Sequence, residues 1–138
     1  MDANTISEKR EVITNLEKLT DFVKCLEDNQ GVFIMKLGAE WCGPCKRIDG
    51  LVKSCMDQAP PNVQCAVIDV DDALEIYSFL KKNRVVNGIP ALLGYYKGNL
   101  NYIPDEVVIG ADQNQIIAFF QRCYNSTTLT DAQRCLAP

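Results

Sequence analysis

Cys42 and Cys45 stand two residues apart in the stretch AEWCGPCK, Ala39 to Lys46, separated by Gly43 and Pro44 and preceded by Trp41. Two thiols at this spacing can do redox chemistry. A cysteine at the start of a helix faces the positive end of the helix macrodipole, which stabilises its thiolate and makes it a nucleophile near neutral pH. Cys42 falls at such a start. Cys45 falls one helical turn further on, within bonding reach of Cys42. Together they can attack a disulfide in two steps: Cys42 forms a mixed disulfide, then Cys45 displaces the reduced product. Pro44 suits the first helical turn, where its missing N–H costs nothing, and Gly43 permits the tight turn before it.

The elements around this pair set its position. VFIMKL, Val32 to Leu37, reads as a buried strand running straight into the cysteines. Beyond them Ile48, Leu51, Val52, Cys55 and Met56 recur at helical spacing until Pro60-Pro61. A short apolar start at Val12-Ile13 precedes a helix expected to be capped at Thr14 or Asn15 and to run to about Asp28, stopped by Asn29-Gln30-Gly31. VQCAVIDV, Val63 to Val70, is a second buried strand, after which Asp71 or Asp72 is placed to cap a helix carrying Leu74, Ile76, Tyr77, Phe79 and Leu80. ALLGYY is a third strand, Lys97-Gly98-Asn99 a hairpin turn, and a last strand is expected between Leu100 and Ile109, limited by Pro104. Asp112 with Gln115 makes a capping box for a final helix bearing Ile116, Ile117, Phe120 and Cys123. The order predicts an α/β domain with a mixed central β-sheet and helices on both faces. The boundaries expected are an N-terminal segment at 1–11, one domain at 12–124 and a polar tail at 125–138.

Composition excludes several alternatives. The chain has 138 residues, 47% of them hydrophobic and 23% charged, with a formal net charge of −4. The basic pairs Lys9-Arg10, Lys46-Arg47 and Lys81-Lys82 are isolated, so no basic stripe suggests nucleic acid. No apolar run is long enough to span a membrane, and the polar start MDANTISEKREV lacks the apolar core of a signal peptide. A cytoplasmic address is therefore expected, where thiols stay reduced. The seven cysteines are odd in number and irregularly spaced, unlike a secreted disulfide scaffold, and a chain without histidine and with one Cys-x-x-Cys offers no zinc set. No cofactor or metal is expected. Cys25, Cys55, Cys65 and Cys123 fall on apolar faces and read as core packing; Cys135 lies in the tail.

The active-site stretch resembles that of the thioredoxin family without a mismatch. NGIP, Asn87 to Pro90, is similar to the family's cis-proline loop, Lys97-Gly98 to its hairpin, and Gly110-Ala111 to the glycine beside its active site. The resemblance covers roughly Val12 to Tyr124 and implies a thioredoxin fold. It also implies a thiol–disulfide oxidoreductase that reduces protein disulfides. Cys42 would be the nucleophile and Cys45 the resolving thiol. Trp41, Gly43 and Pro44 would flank the docking surface. Pro90 would be cis, with the Ile89 backbone offered to an extended substrate segment, and Gly110 would keep the groove open. The implied partners are disulfide-containing proteins and a recycling reductant, either a reductase drawing on NADPH or glutathione. The competing reading is an interaction module on the same fold, in which docking matters and the redox chemistry is secondary.

The sequence departs from the family at Lys36, where thioredoxins usually bury an aspartate beneath the disulfide. Many also carry a lysine on the next strand, and Val67 takes that place here. A buried ammonium needs an anion, a lowered pKa or a route to solvent. Lys36 is thus expected either to tune the site from below or to snorkel outward. Gly50 stands for a proline that kinks the family's active-site helix, Ala91 for the usual threonine after the cis-proline, and the hairpin from Asn99 to Ile109 is longer than the family's.

Overall fold

Residues 9 to 127 are described by a computed structural model of the chain. The central strand β1 (Val32–Gly38) is buried along its whole length, as its unbroken apolar run requires. Alternation sends Phe33, Met35 and Leu37 to one face and Val32 and Ile34 to the other. Each face therefore needs its own cover of helices.

Four helices supply it. α1 (Leu19–Glu27) and α3 (Leu74–Lys82) bring Phe22, Leu26, Ile76 and Leu80 to the first face. α2 (Gly43–Asp57) and α4 (Gln113–Ser126) bring Ile48, Val52, Met56, Ile116, Phe119 and Phe120 to the second. The remaining strands are β2 (Val63–Asp69), β3 (Ala91–Tyr96) and β4 (Glu106–Ile109), in the sheet order β2-β1-β3-β4. β1 runs parallel to β2, with Lys36 opposite Val67, and antiparallel to β3, with Lys36 opposite Leu92. β3 pairs antiparallel with β4. This is the mixed sheet with helices on both faces that the order of elements implied.

The differences lie at element ends. The first helix begins at Leu19 rather than near Asn15. The residues before it are drawn out along β2: Ile13 accepts from the Val67 N–H and donates to the Cys65 carbonyl, both at 2.9 Å. The short apolar start at Val12-Ile13 thus contributes one isolated bridge, Ile13 to Ala66. Leu16, read as helical, is buried from this extended segment. The Lys18 N–H donates to the Asp21 carboxylate at 3.4 Å at the true helix start. α3 starts after Ala73, without a side-chain cap, because Asp71 is engaged elsewhere. α4 is N-capped by Asp112, whose carboxylate accepts from the Gln115 N–H at 3.0 Å, and continues to Ser126, two residues past the expected boundary. The rest of the tail, with Cys135, lies outside the described residues.

The long hairpin is held by its own asparagines. Gly98 takes the positive φ of +94° that the turn needs. Asn99 accepts from the Asn101 N–H at 2.8 Å and donates to the Ile103 carbonyl at 3.0 Å, while Asn101 accepts from the Ile103 N–H at 3.0 Å. These side chains mimic backbone turns, so the chain needs no ladder there and β4 is only the final four residues. Tyr102 seats the loop on the body of the molecule, its carbonyl accepting from the Tyr95 hydroxyl at 2.7 Å and its ring edge-on to Phe79 at 5.0 Å.

Candidate active site

β1 ends at Gly38 and α2 begins at Gly43, so the intervening residues make a strand-to-helix turn at one end of the sheet. Cys42 is the N-cap of α2, with extended backbone, and its Sγ accepts a hydrogen bond from the Cys45 N–H at 3.2 Å. Pro44 occupies the opening positions of the helix and leaves no N–H without a partner. The N–H of Cys45, in the first turn of α2, therefore points at the Cys42 sulfur, and the aligned dipoles of fifteen residues lie behind it. Cys42 and Cys45 form a disulfide with their Cα atoms 5.3 Å apart. Cys42 is 5% exposed and Cys45 2%, so both sulfurs are shielded in the oxidised pair.

The neighbours gather as follows. Trp41 is 69% exposed beside the disulfide, and its indole Nε1–H donates to the Asp71 carboxylate at 2.8 Å, which fixes the plane of the ring. Gly43 and Pro44 are exposed at the same rim. The Ile89–Pro90 peptide bond is cis; Pro90 is buried, and Ile89 packs on the apolar cluster that includes Cys42 and Cys45. Gly110 has φ +110°, where side chains are strained, and its N–H donates to the Pro90 carbonyl at 2.8 Å. That bond ties the start of the last hairpin strand's exit to the proline loop.

Lys36 resolves neither as a free ammonium nor as a side chain reaching outward. Its side chain is 9% exposed, and Nζ forms an ion pair with Asp49 of α2. Asp49 lies four residues after Cys45 and so on the same helical face. Asp71 was read as a cap and is the indole's acceptor instead. Both contacts join residues far enough apart in the chain that no local pattern announces them.

The other described cysteines are kept from this chemistry. Burial pushes the Cys65 thiol up to about 12 and raises those of Cys123, Cys25 and Cys55, with Asp28 and Asp21 adding to the rise at Cys25. Cys65 and Cys123 pack in the core as small apolar groups. Among the described residues no cluster of side chains could hold a metal ion, and no helix is long and apolar enough to cross a membrane.

Comparison with known proteins agrees with this geometry. The Thioredoxin family model matches residues 12–122. A mitochondrial thioredoxin of Mus musculus is 25% identical over 122 residues, which are 87% of this chain and 69% of that protein. Thioredoxin 3 of Plasmodium falciparum is 27% identical over 89 residues, 64% of this chain and 46% of that one. Among solved structures, Trichomonas vaginalis thioredoxin superimposes with a TM-score of 0.65 at 22% identity, covering 80% of this chain and 96% of the other.

Proposed function

The chain belongs to the thioredoxin family of thiol–disulfide oxidoreductases, and on that premise we propose that its Cys42/Cys45 pair reduces disulfides in proteins by two-step exchange. The observation that carries the reading is the Cys45 N–H aimed at the Cys42 sulfur at 3.2 Å from the first turn of α2. In the reduced protein that N–H and the helix dipole stabilise a Cys42 thiolate. The thiolate attacks one sulfur of a substrate disulfide. The substrate S–S bond breaks, and its electron pair leaves on the distal sulfur, which takes up a proton. Cys45 then loses its proton and attacks the Cys42 sulfur of the mixed disulfide. The second substrate sulfur departs and is protonated in turn. The substrate gains two electrons and two protons, and the protein keeps the Cys42–Cys45 disulfide.

Substrate docking uses the rim around the pair. Trp41, with Gly43 and Pro44, gives a rigid contact surface, and the Ile89 backbone before Pro90 pairs with an extended substrate segment. Gly110 leaves the groove without a side chain. Family members act on disulfide substrates and are recycled by a reductase; here the reductant is a reductase fed by NADPH, or glutathione. The described cysteines outside the pair are free, which supports work in a reducing compartment, in our proposal the cytoplasm.

Two measurements test the reading. The protein accelerates reduction of insulin disulfides by dithiothreitol, and Cys42→Ser abolishes the acceleration. Cys45→Ser stops the exchange halfway, so substrate proteins accumulate as mixed disulfides on Cys42. Retained acceleration in Cys42→Ser, or trapping on Cys45 in place of Cys42, overturns it.

A further inference from the structure

We propose that the Lys36 ammonium, seated on Asp49, stabilises the Cys45 thiolate and so serves as the positioning charge for the resolving step. This rests on the two-step exchange described above and adds a residue to it. The geometry is carried by Gly38. A β-carbon at Gly38 would stand 3.5 Å from the Cys45 sulfur and 3.8 Å from the Lys36 Nζ. The ammonium and the sulfur therefore flank the same small void and are no further apart than those two distances together. No side chain fills the void, because residue 38 has none.

The void opens into a cavity of about 300 Å³ lined by Lys36, Cys45, Glu40, Lys46, Asp49 and Asp69. Three carboxylates and one further ammonium thus share the space with Lys36, and their exposure decides which charge Cys45 feels. The Asp49 side chain is 54% exposed, and Glu40 and Lys46 also lie in solvent, where water screens them. Asp69 is half-buried at the end of β2. Lys36 alone is nearly sealed and reaches its position through the apolar sheet, so its field acts through a medium of lower dielectric. In the oxidised protein Asp49 is its one counter-ion among the described residues. On reduction the Cys45 thiolate becomes a second anion within the ammonium's reach.

In the resolving step the Cys45 S–H bond breaks and its proton passes to solvent through the cavity. The thiolate left behind is held by Lys36 until it attacks the Cys42 sulfur. The cation lowers the free energy of this anion without taking or giving a proton. Asp49 holds the ammonium in a direct ion pair, and because its carboxylate is half in water its opposing charge is screened more than that of the sealed ammonium.

The test follows Cys45 alone. In Cys42→Ser protein the rate of Cys45 alkylation by iodoacetamide is read by peptide mass mapping across pH 6 to 10, with and without a second substitution. Lys36→Met keeps the length of the stem and removes the charge; it raises the midpoint by about one unit, a tenfold loss of thiolate at a pH below both midpoints. Asp49→Asn keeps an acceptor for Nζ and removes the opposing charge, so the midpoint falls. With both cysteines present, the equilibrium with glutathione supplies a readout that a packing role would not move. Lys36→Met and the unaltered protein coincide below both midpoints. Above them the variant is about tenfold more reducing, or about 30 mV lower. An unmoved midpoint in Lys36→Met overturns the proposal. So does a raised midpoint with slowed resolution in Asp49→Asn, which would give the role to the carboxylate as a base. Absence of insulin reduction by the unaltered protein, with no trapping on Cys42 in Cys45→Ser, would instead sink the reductase reading, and the alkylation midpoint is measured independently of it.

Discussion

Replacing Gly94 by alanine asks how tightly α4 is set against the sheet. A β-carbon there would lie 2.8 Å from the Cys123 sulfur and 3.4 Å from both Glu106 Cβ and Phe119 Cζ. Cys123 is fully buried on α4 and cannot swing away from β3. The sulfur or the helix must retreat, and overpacking of this kind costs about 1–3 kcal/mol. Loss of glycine's freedom in the unfolded chain offsets about 0.4–1 kcal/mol, so the net destabilisation lies between about zero and 2.6 kcal/mol. Cys123→Ala removes the obstructing atom and leaves a small hole of its own. In the double variant the new methyl group enters the space the sulfur vacated. The two substitutions together therefore destabilise less than their separate effects added, with a coupling of about 1–3 kcal/mol. Urea unfolding of the four proteins, followed by far-ultraviolet circular dichroism, measures the cycle. A coupling below about 0.5 kcal/mol, the level seen for independent sites, refutes the steric argument.

Asn29→Ala removes a buried donor to the Tyr95 carbonyl at 2.8 Å and a buried acceptor for the Gly31 N–H at 3.0 Å. It destabilises by about 2–4 kcal/mol with an unchanged urea slope, and a loss under about 1 kcal/mol would mean water replaces both partners. Cys65, raised to about 12 by burial, keeps its proton in the folded protein after the unfolded chain has lost it near the ordinary value of 9.0. Its contribution is complete below pH 9 and is lost as pH rises toward 12, at about 1.4 kcal/mol per unit. Cys65→Val flattens the fall of stability between pH 9 and 11 by that amount; parallel curves for the two proteins would show that the thiol is already ionised in the fold.

The sequence was most informative where a single short stretch contains its own reasons. Trp41 to Lys46 carries both cysteines and the helix-starting proline within one turn, so the strand-to-helix placement of the pair was legible before any fold was known. Buried strands such as Val32 to Leu37 were legible for the same cause, an unbroken apolar run. What escaped was set by partners distant in the chain. Leu16 continues the helical spacing of Leu19 and Phe22, yet Ile13 is captured by β2 and holds the segment extended. Lys36 read as an anomaly because its counter-ion sits on another element, and Asp71 read as a cap because Trp41 is thirty residues away. The late start of β4 follows from asparagine side chains taking the bonds a strand would have used.

The bridge at Ile13 has a consequence for how this sheet meets other chains. β2 is a marginal strand, and a bare margin of seven residues is a template on which a second polypeptide can add. Ile13 takes the Val67 N–H and the Cys65 carbonyl at its middle, and the Gln64 side chain binds the Glu11 carbonyl at 2.7 Å just before it. A visiting strand would have to evict this clasp before it found two consecutive free groups. The opposite margin, β4, offers only four residues and follows directly on Pro104 and Asp105. Indiscriminate sheet extension is thereby discouraged at both borders, which guards the folded protein against being recruited into the aggregates of other chains.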